Sequence, residues 1–564
     1  MKPFAPLDPM ERGITLLEAS AGTGKTYSIT TLVVQLVALH DVPLREVLVV
    51  TFTRKATAEL RDRVRLRLDQ VLAALTQPAR PDDDPLVEQL RDAAAADDVI
   101  LTRLQRARAD FDECVISTIH GFCQRMLQQF AAVAGSDLDL ELEPDTQLIL
   151  EDLVDDFLSR ELYPADPERF DFLKLHAGFH RDHLLRIAKA AVDDPTAILL
   201  PEPQGDPIET YRMHREALRE QWEAGGGEQL EARLLQAHAN KEFKNPRQRT
   251  YTPKTLPGLL QAAWKWLTER LFAPPGDAEK LLRQAIDAMC DSIVIDDPTI
   301  DALTALNNLP GELGAAERVR FARWIRRAFR ERCAAERIQS YADLIHNLAD
   351  RVRPGAKEPT RTALIEAIGG SFQAALIDEF QDTDANQWTL FHEVFGQGRH
   401  FLYLIGDPKQ AIYAFRGANV HVYLQARAAA GERAFTMTRN WRSDAGLLDA
   451  FNHLMDRPGF FGTSDIQYVP VDAPEREHPV RLVWPDDSDF SRREPFQLRY
   501  MPVDKEMNKG DALRLALQQT ADDLVMLLGS GAQRIVGGER RPLRAGDCAV
   551  LVRTNHEGDA LHQA

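Results

Sequence analysis

The chain has few cysteines for its 564 residues: five, Cys114, Cys123, Cys290, Cys333 and Cys548, with no two in a CxxC pair. Their scatter excludes a disulfide framework and a cysteine-based zinc site and fits a reducing cytoplasm. Nowhere do 18 uncharged apolar residues run together, and the first residues carry no basic-then-apolar secretory pattern. The expectation is a cytoplasmic protein with no membrane partner. Positive charge is in deficit as well. A net charge of −18 excludes a uniformly basic nucleic-acid coat but permits a local basic channel, because net charge governs solubility and steering rather than one site. Internal repeats and long low-complexity tracts are also lacking.

What remains is an ordinary globular composition, 44% apolar and 27% charged, over a length too great for one core. Strand and helix patterns alternate at the start. Ile29, Leu32, Val33 and Leu36 repeat at helical spacing, the strand Val47 to Val50 follows, and Leu60, Val64, Leu68, Val71 and Leu75 form a second helical stripe. Such alternation predicts right-handed crossovers and a parallel sheet. From about 130 to 330 the pattern turns to long helices broken by Pro-rich and Gly-rich stretches such as Gly225-Gly226-Gly227, which reads as an inserted helical domain. The α/β pattern resumes at Leu376-Ile377 and at Phe401 to Ile405, and a strand is expected at Asp547 to Arg553.

Two loops carry phosphate chemistry. Ala19-Ser20-Ala21-Gly22-Thr23-Gly24-Lys25-Thr26 follows the apolar run Ile14 to Leu17, and Asp378-Glu379-Phe380-Gln381-Asp382 follows Ala374 to Ile377. Glycines let backbone N–H groups close around phosphate oxygens, and the next helix presents its positive end. Lys25 suits the β- and γ-phosphates of a nucleoside triphosphate, and the Thr26 hydroxyl suits Mg²⁺, although Ala19 stands where the pattern's first glycine is usual. Asp378 suits the Mg²⁺ shell, and Glu379 suits the activation of water.

Four more segments follow strands or open the last region: Thr51-Phe52-Thr53-Arg54-Lys55-Ala56, Ser117-Thr118-Ile119-His120-Gly121-Phe122-Cys123, Ile405 to Ala418, and Asn440-Trp441-Arg442-Ser443. Hydroxyls at strand ends can hold phosphates, and aromatic faces can stack bases without reading sequence. By residue type, Phe52 and Phe122 suit a core as well as a base platform, and His120 suits a structural position. Tyr413, Phe415 and Arg416 crowded into one loop are harder to explain by packing. His176, His180 and His183 suit a solvated helix face better than a zinc site. Lys241, Lys244, Arg247, Arg249, Tyr251 and Lys254 suit either a duplex-contacting loop or an exposed charged surface.

In this order the segments resemble the motifs of the UvrD/Rep group of superfamily 1 helicases. Leu17 to Thr26, the Thr118 to Cys123 run and Gly406 to Ala418 resemble its RecB branch, the helicase-nuclease type, more closely than the others. The resemblance spans most of the chain. It implies an α/β fold: a RecA-like parallel-sheet P-loop domain with an inserted helical domain and the start of a second RecA-like domain. The expected divisions are 1–130 and 331–437 for the first RecA-like domain, 131–330 for the insert and 438–564 for the second. The implied cofactors are ATP and Mg²⁺. Ala19 to Thr26 and Trp441 would hold the nucleotide, Thr26 and Asp378 the metal, and Lys25, Glu379, Gln410 and Arg442 would carry catalysis. In this scheme Gln410 senses the γ-phosphate and Arg442 is an arginine finger. Thr51, Phe52, Thr118, His120, Tyr413, Phe415 and Arg416 would line the track for single-stranded DNA.

The resemblance further implies 3′-to-5′ movement, single-stranded and duplex DNA as substrates, RecC-like and RecD-like partner subunits, and work in double-strand break repair and homologous recombination. An AddA-type or stand-alone UvrD-like helicase is the alternative, and a truncated non-motor remnant that binds DNA or partners is a third. Residues 1 to 19 lack the glutamine with which many relatives read adenine, so the choice of ATP comes from the resemblance alone.

A core strand a few residues before Ala564 makes the chain read as truncated, with the later helicase motifs and any nuclease domain expected beyond it. Because Arg442 alone does not complete the charge clamp on the γ-phosphate, the isolated chain should show little DNA-stimulated ATPase. Steady-state phosphate release measures this, and robust turnover lost in Lys25→Ala would contradict it.

Overall fold

Gly13–Ala19 is buried at every position, as expected of a strand covered on both faces. In the computed structural model, which describes the chain apart from residues 81–82, 97–98, 135–140, 143–145, 196, 245–249, 270, 291–293, 413–418, 476–480, 486–493, 501–506 and 537, this strand lies near the middle of a seven-stranded sheet. The strands in chain order are β1 (Lys2–Pro3), β2 (Gly13–Ala19), β3 (Val47–Thr51), β4 (Val115–Thr118), β5 (Glu141–Leu142), β6 (Ile338–Gln339), β7 (Ala374–Ile377), β8 (Phe401–Gly406), β9 (Ala434–Met437), β10 (Arg481–Val483), β11 (Gln533–Val536) and β12 (Glu539–Pro542). The large sheet runs β1-β9-β2-β8-β7-β3-β4, and every pairing in it is parallel. The expected α/β parallel sheet is therefore present.

Helices α1 (Lys25–His40), α2 (Arg54–Leu75), α3 (Pro85–Ala96), α4 (Val99–Ala109) and α5 (Ile119–Gln129) follow the first strands. Ile29, Leu32, Val33 and Leu36 of α1 are fully buried or nearly so. They share a core with Leu60, Val64, Leu68 and Val71 of α2 and with Leu17, Val49, Leu376 and Ile405 of the sheet. The stripes read from the sequence are thus the core-facing stripes. Thr53 caps α2 by accepting the Ala56 N–H at 3.1 Å, and Thr118 caps α5 by accepting that of Gly121 at 3.2 Å. Phe122 is a core residue: it is buried and packs its ring against Phe372 and Phe391.

The chain divides into two compact units, Met1–Ser136 with Ile345–Ala564, and Asp137–Leu344. Among its described residues the second unit is helical apart from the two-residue parallel pair of β5 and β6 and one antiparallel bridge between Phe243 and Cys290. Its spine is the helix Pro298–Glu336, capped by Asp297, which accepts the Thr299 N–H at 2.8 Å, with Pro298 at the first helical position. It contributes Phe321 to the core that also holds buried Trp266, Tyr211 and Phe172. The indole of Trp266 donates to the Tyr211 hydroxyl at 3.1 Å, which donates onward to the Leu271 carbonyl at 2.8 Å, so both polar handles are satisfied.

Three readings need correction. Tyr251 is not an aromatic within an exposed basic loop: it is fully buried, and its hydroxyl donates to the Lys280 carbonyl. Arg247 and Arg249 lie outside the described residues. His176, His180 and His183 do not share a helix, because Pro167–Leu175 ends before His176 and the next helix begins at Arg181. Gly178 turns the chain between them at φ +70°, and His183 Nδ1 lies 2.8 Å from the Gly178 carbonyl oxygen. Among the described residues no three His, Cys, Asp or Glu side chains group as metal ligands. The expected strand at 547–553 does not form either. Ala545–Asp547 make one 3₁₀ turn, residues 548–552 have no regular structure and Leu551 is 97% exposed. An apolar run becomes a strand only when a neighbour takes its backbone groups, and no strand among the described residues pairs with this one. No described helix is long and apolar enough to cross a membrane.

Gly314, inside the long helix, gives a test of packing against propensity. Alanine in place of glycine ordinarily stabilises a helix interior by up to about 1 kcal/mol. Here a Cβ would stand 2.2 Å from the His176 carbonyl oxygen. Gly314→Ala should therefore lose about 1–3 kcal/mol in urea unfolding, with overpacking outweighing propensity.

Candidate nucleotide site

Register brings the loops together. Val50 pairs with Ile377, Ile377 with Leu404, Glu18 with Gly406 and Ala19 with Met437, so these strands deliver their carboxyl ends to one edge of the sheet. In open parallel sheets that edge is where ligands bind. The loop after β2 turns at Gly22 (φ +83°) and Gly24 (φ +92°), and Gly24 is the N-cap of α1. The first turn of α1 has no acidic residue, and its first N–H groups have no partner within the helix. Thr23 closes the turn by donating its hydroxyl to the Ser20 carbonyl at 2.7 Å. The result is a concentration of positive potential with no anion of its own helix to meet it.

The anion comes from across the sheet. Lys25 Nζ lies 2.7 Å from Glu379 Oε2. Glu379 holds a left-handed backbone at φ +51°; the other described non-glycine residues at positive φ, Asp41, Lys241 and Arg337, sit at α-helix C-termini. Backbone strain of this kind costs on the order of 1–3 kcal/mol and gathers at functional sites. Its immediate effect is to turn Glu379 away from the strand direction while its N–H donates to Asp378 Oδ1 at 3.0 Å. Asp378 itself continues the ladder, donating its N–H to the Val50 carbonyl at 2.9 Å.

Burial and the neighbouring Glu379 raise the Asp378 carboxyl to about 6 against the pull of Lys25. Asp382 is raised to about 6 for the same reasons, and its buried Oδ1 has no hydrogen-bond partner among the described residues. Three carboxylates thus face one lysine. This excess of negative charge in a partly desolvated pocket fits a divalent cation shared with phosphate oxygens. Mg²⁺ commonly takes only one or two carboxylates in that way and needs no cage of protein ligands.

Gln381, which sequence reasoning quoted within the acidic segment without giving it a role, connects this cluster to β8. Its Nε2 donates to Glu379 Oε2 at 2.8 Å, and its Oε1 accepts the Asp407 N–H at 2.9 Å. Gln410 donates to Asp407 Oδ2 at 2.7 Å, so the expected phosphate sensor is joined to Glu379 through two side chains. Asn440 was likewise missed. Although its motif was recognised, its buried amide donates to the Ala21 carbonyl at 2.8 Å and accepts the N–H groups of Arg442 and Ser443. With Trp441 N–H donating to the Gly22 carbonyl at 2.7 Å, the segment after β9 is fixed on the loop after β2. Trp441 is 56% exposed, and a Cβ on Gly24 would lie 3.5 Å from its ring. Arg442 is exposed beside the same loop.

The remaining expected DNA contacts divide. The Thr51 side chain is buried, with its hydroxyl 2.6 Å from that of Thr57, while the Thr118 hydroxyl is committed to the α5 cap. Phe52 and His120 are half-buried, and burial lowers the His120 imidazole. Tyr413, Phe415 and Arg416 lie outside the described residues.

Comparison with known families gives a match to the UvrD/REP helicase N-terminal domain over residues 5–430. The RecB subunit of the RecBCD enzyme of Escherichia coli is 29% identical, aligned over 99% of this chain and 48% of that protein. The RecB subunits of Haemophilus influenzae (28% identical, 98% and 48%) and Mycolicibacterium smegmatis (30%, 100% and 40%) are similar to it in the same way. The chain spans less than half the length of these curated relatives.

The raised Asp382 carboxyl gives a pH test. Folded, it keeps its proton up to about 6, whereas its ordinary value is 3.8. Between those values the folded state binds more protons than the unfolded one, so this group's contribution to stability falls as pH rises from about 4 to about 6. Asp382→Asn should therefore gain stability relative to the parent over that interval in metal-free buffer. A constant difference between the two unfolding curves would contradict it.

Proposed function

As the chain belongs to the UvrD/REP helicase family through a match covering residues 5–430, we propose that it is an ATP-dependent, 3′-to-5′ DNA translocase and helicase of the RecB type, acting in double-strand break repair and recombination. The observation that carries the reading is the meeting, at one sheet edge, of the glycine loop, Lys25 and the strained Asp378-Glu379 pair. In this reading the loop amides from Ala19 to Thr26 and the Lys25 ammonium hold the phosphates. Thr26 and Asp378 would hold Mg²⁺, which shields the charge of the terminal phosphates. Trp441 covers the base, and Arg442 approaches the γ-phosphate from the segment after β9.

Glu379 then has two partners in turn. It neutralises Lys25 at 2.7 Å. Once Lys25 turns to a phosphate, the carboxylate is freed to accept a proton from the attacking water, and Gln381 keeps it oriented. Gln410, hydrogen-bonded to Asp407, reports the γ-phosphate to β8 and the segment beyond it. That segment holds Tyr413, Phe415 and Arg416, which with Thr51, Phe52, Thr118 and His120 form the single-strand track of this reading. The same reading assigns residues 438–564 to the start of a second RecA-like domain. RecC-like and RecD-like subunits are the proposed partners.

Binding of a fluorescent Mg²⁺–ATP analogue tests the site without requiring turnover. Lys25→Ala should weaken it by roughly 1.5–3 kcal/mol, about 10- to 150-fold, the range of a hydrogen bond to a charged group. Affinity for a single-stranded oligonucleotide should change by less than about twofold, because stacking and backbone contacts do not involve Lys25. Equal analogue affinity in the two proteins would sink the assignment.

A further inference from the structure

Beside the nucleotide site lies a second charged cluster, and it is more deeply buried. Glu18, the last residue but one of β2, faces Lys409 from the loop after β8, with Oε1 and Nζ 2.7 Å apart. The same Nζ lies 2.7 Å from Asp407 Oδ1. The side chains of Lys409, Glu18 and Asp407 are 7%, 2% and 3% exposed. The Tyr423 hydroxyl, on the helix Val420–Ala430, stands 3.5 Å from the other Glu18 oxygen. Register explains the meeting: Glu18 pairs with Gly406, which places both residues at the same level of the sheet although 391 residues separate Lys409 from Glu18.

Buried charges are expensive to desolvate, and an apolar trio of similar volume would hold two strand ends together at least as well. The cluster has a connection that an apolar trio would lack. Asp407 is shared: Oδ1 takes the side chain and the backbone N–H of Lys409, while Oδ2 takes Gln410 Nε2 at 2.7 Å. Its own N–H reaches Glu379 through Gln381. Lys409 therefore fixes one oxygen of a carboxylate whose other oxygen sets where Gln410 points. It is anchored in turn by Glu18, which immediately precedes the phosphate loop.

We infer that Lys409 is a positioning residue for recognition of the terminal phosphate: by clamping Asp407 to Glu18 it presents Gln410 to the γ-phosphate of a bound nucleoside triphosphate. The inference rests on the nucleotide-binding reading above. Lys409 does not itself touch nucleotide. Its loss should leave the groups that hold a diphosphate unchanged and remove the preference for a triphosphate.

The test titrates the full chain with Mg²⁺–ATPγS and with Mg²⁺–ADP and takes the ratio of affinities. Lys409→Met leaves two buried carboxylates without a counterion and is prone to unfold. The double variant Lys409→Met with Glu18→Gln leaves only Asp407 without its counterion and keeps the measurement possible. Expected is a fall of about tenfold in the ATPγS/ADP ratio, within the usual span of coupling between sites, with ADP affinity held to within about twofold. A folded variant that keeps the parent ratio overturns the inference, as does one that loses both nucleotides in parallel, which marks a merely structural role. A parent chain that binds both nucleotides equally overturns it while leaving nucleotide binding intact. A parent chain that binds neither overturns the nucleotide reading as well.

Discussion

Parallel pairing of β2 with its two neighbours is the constraint on which the rest of the site depends. A parallel ladder fixes register along its whole length, so once Ile14 lies beside Leu402, Glu18 must lie beside Gly406, and the loops that follow must leave the sheet at the same level. β9 on the other side brings Met437 to the level of Ala19. Coverage of both faces by helices excludes water from the sheet and makes a slip of register costly, because every side chain would change faces. Distances between the loops, such as 2.7 Å between Lys25 and Glu379, are therefore set by a rigid frame and not by the loops themselves.

Charge is handled differently on the two sides of β8. Around Lys25 the carboxylates outnumber the cation. The imbalance appears as raised carboxyl groups at Asp378 and Asp382 and as an Asp382 oxygen that has no hydrogen-bond partner among the described residues. Around Lys409 two carboxylates also share one cation, but both are paired with it at 2.7 Å and all three side chains are almost fully removed from solvent. Gln381 and Asp407 join the two regions through hydrogen bonds of 2.8 and 2.9 Å. In a medium of low dielectric such bonds are strong when made and costly when left open, so a change on the Lys25 side has a route to β8.

The helical unit shows how little its chemistry has in common with this edge. Its polar groups are spent on holding helices: Tyr211 and Trp266 on each other and on a backbone carbonyl, Tyr251 on Lys280, and Asp297 on the cap of the long helix. That pattern is one of packing.

The sequence by itself determined the elements and the local chemistry. The apolar runs from Ile14, Val47, Ala374 and Phe401 became buried parallel strands, the stripes on α1 and α2 became core, and Gly22 and Gly24 took positive φ in the loop after β2. These are properties of a few adjacent residues, and steric and hydrogen-bonding rules act on them directly. Tertiary structure alone decided the partners. That Glu379 meets Lys25, that Lys409 meets Glu18, that Asn440 holds Ala21 and that Gln381 spans two strands are contacts between positions brought together by strand order. Helical and strand periodicity say which face is buried, but not which neighbour buries it. For the same reason Tyr251, set among lysines and arginines, belongs to a core, and the apolar run after Asp547 is no strand. Each takes its state from what packs against it, and a one-dimensional pattern does not contain that.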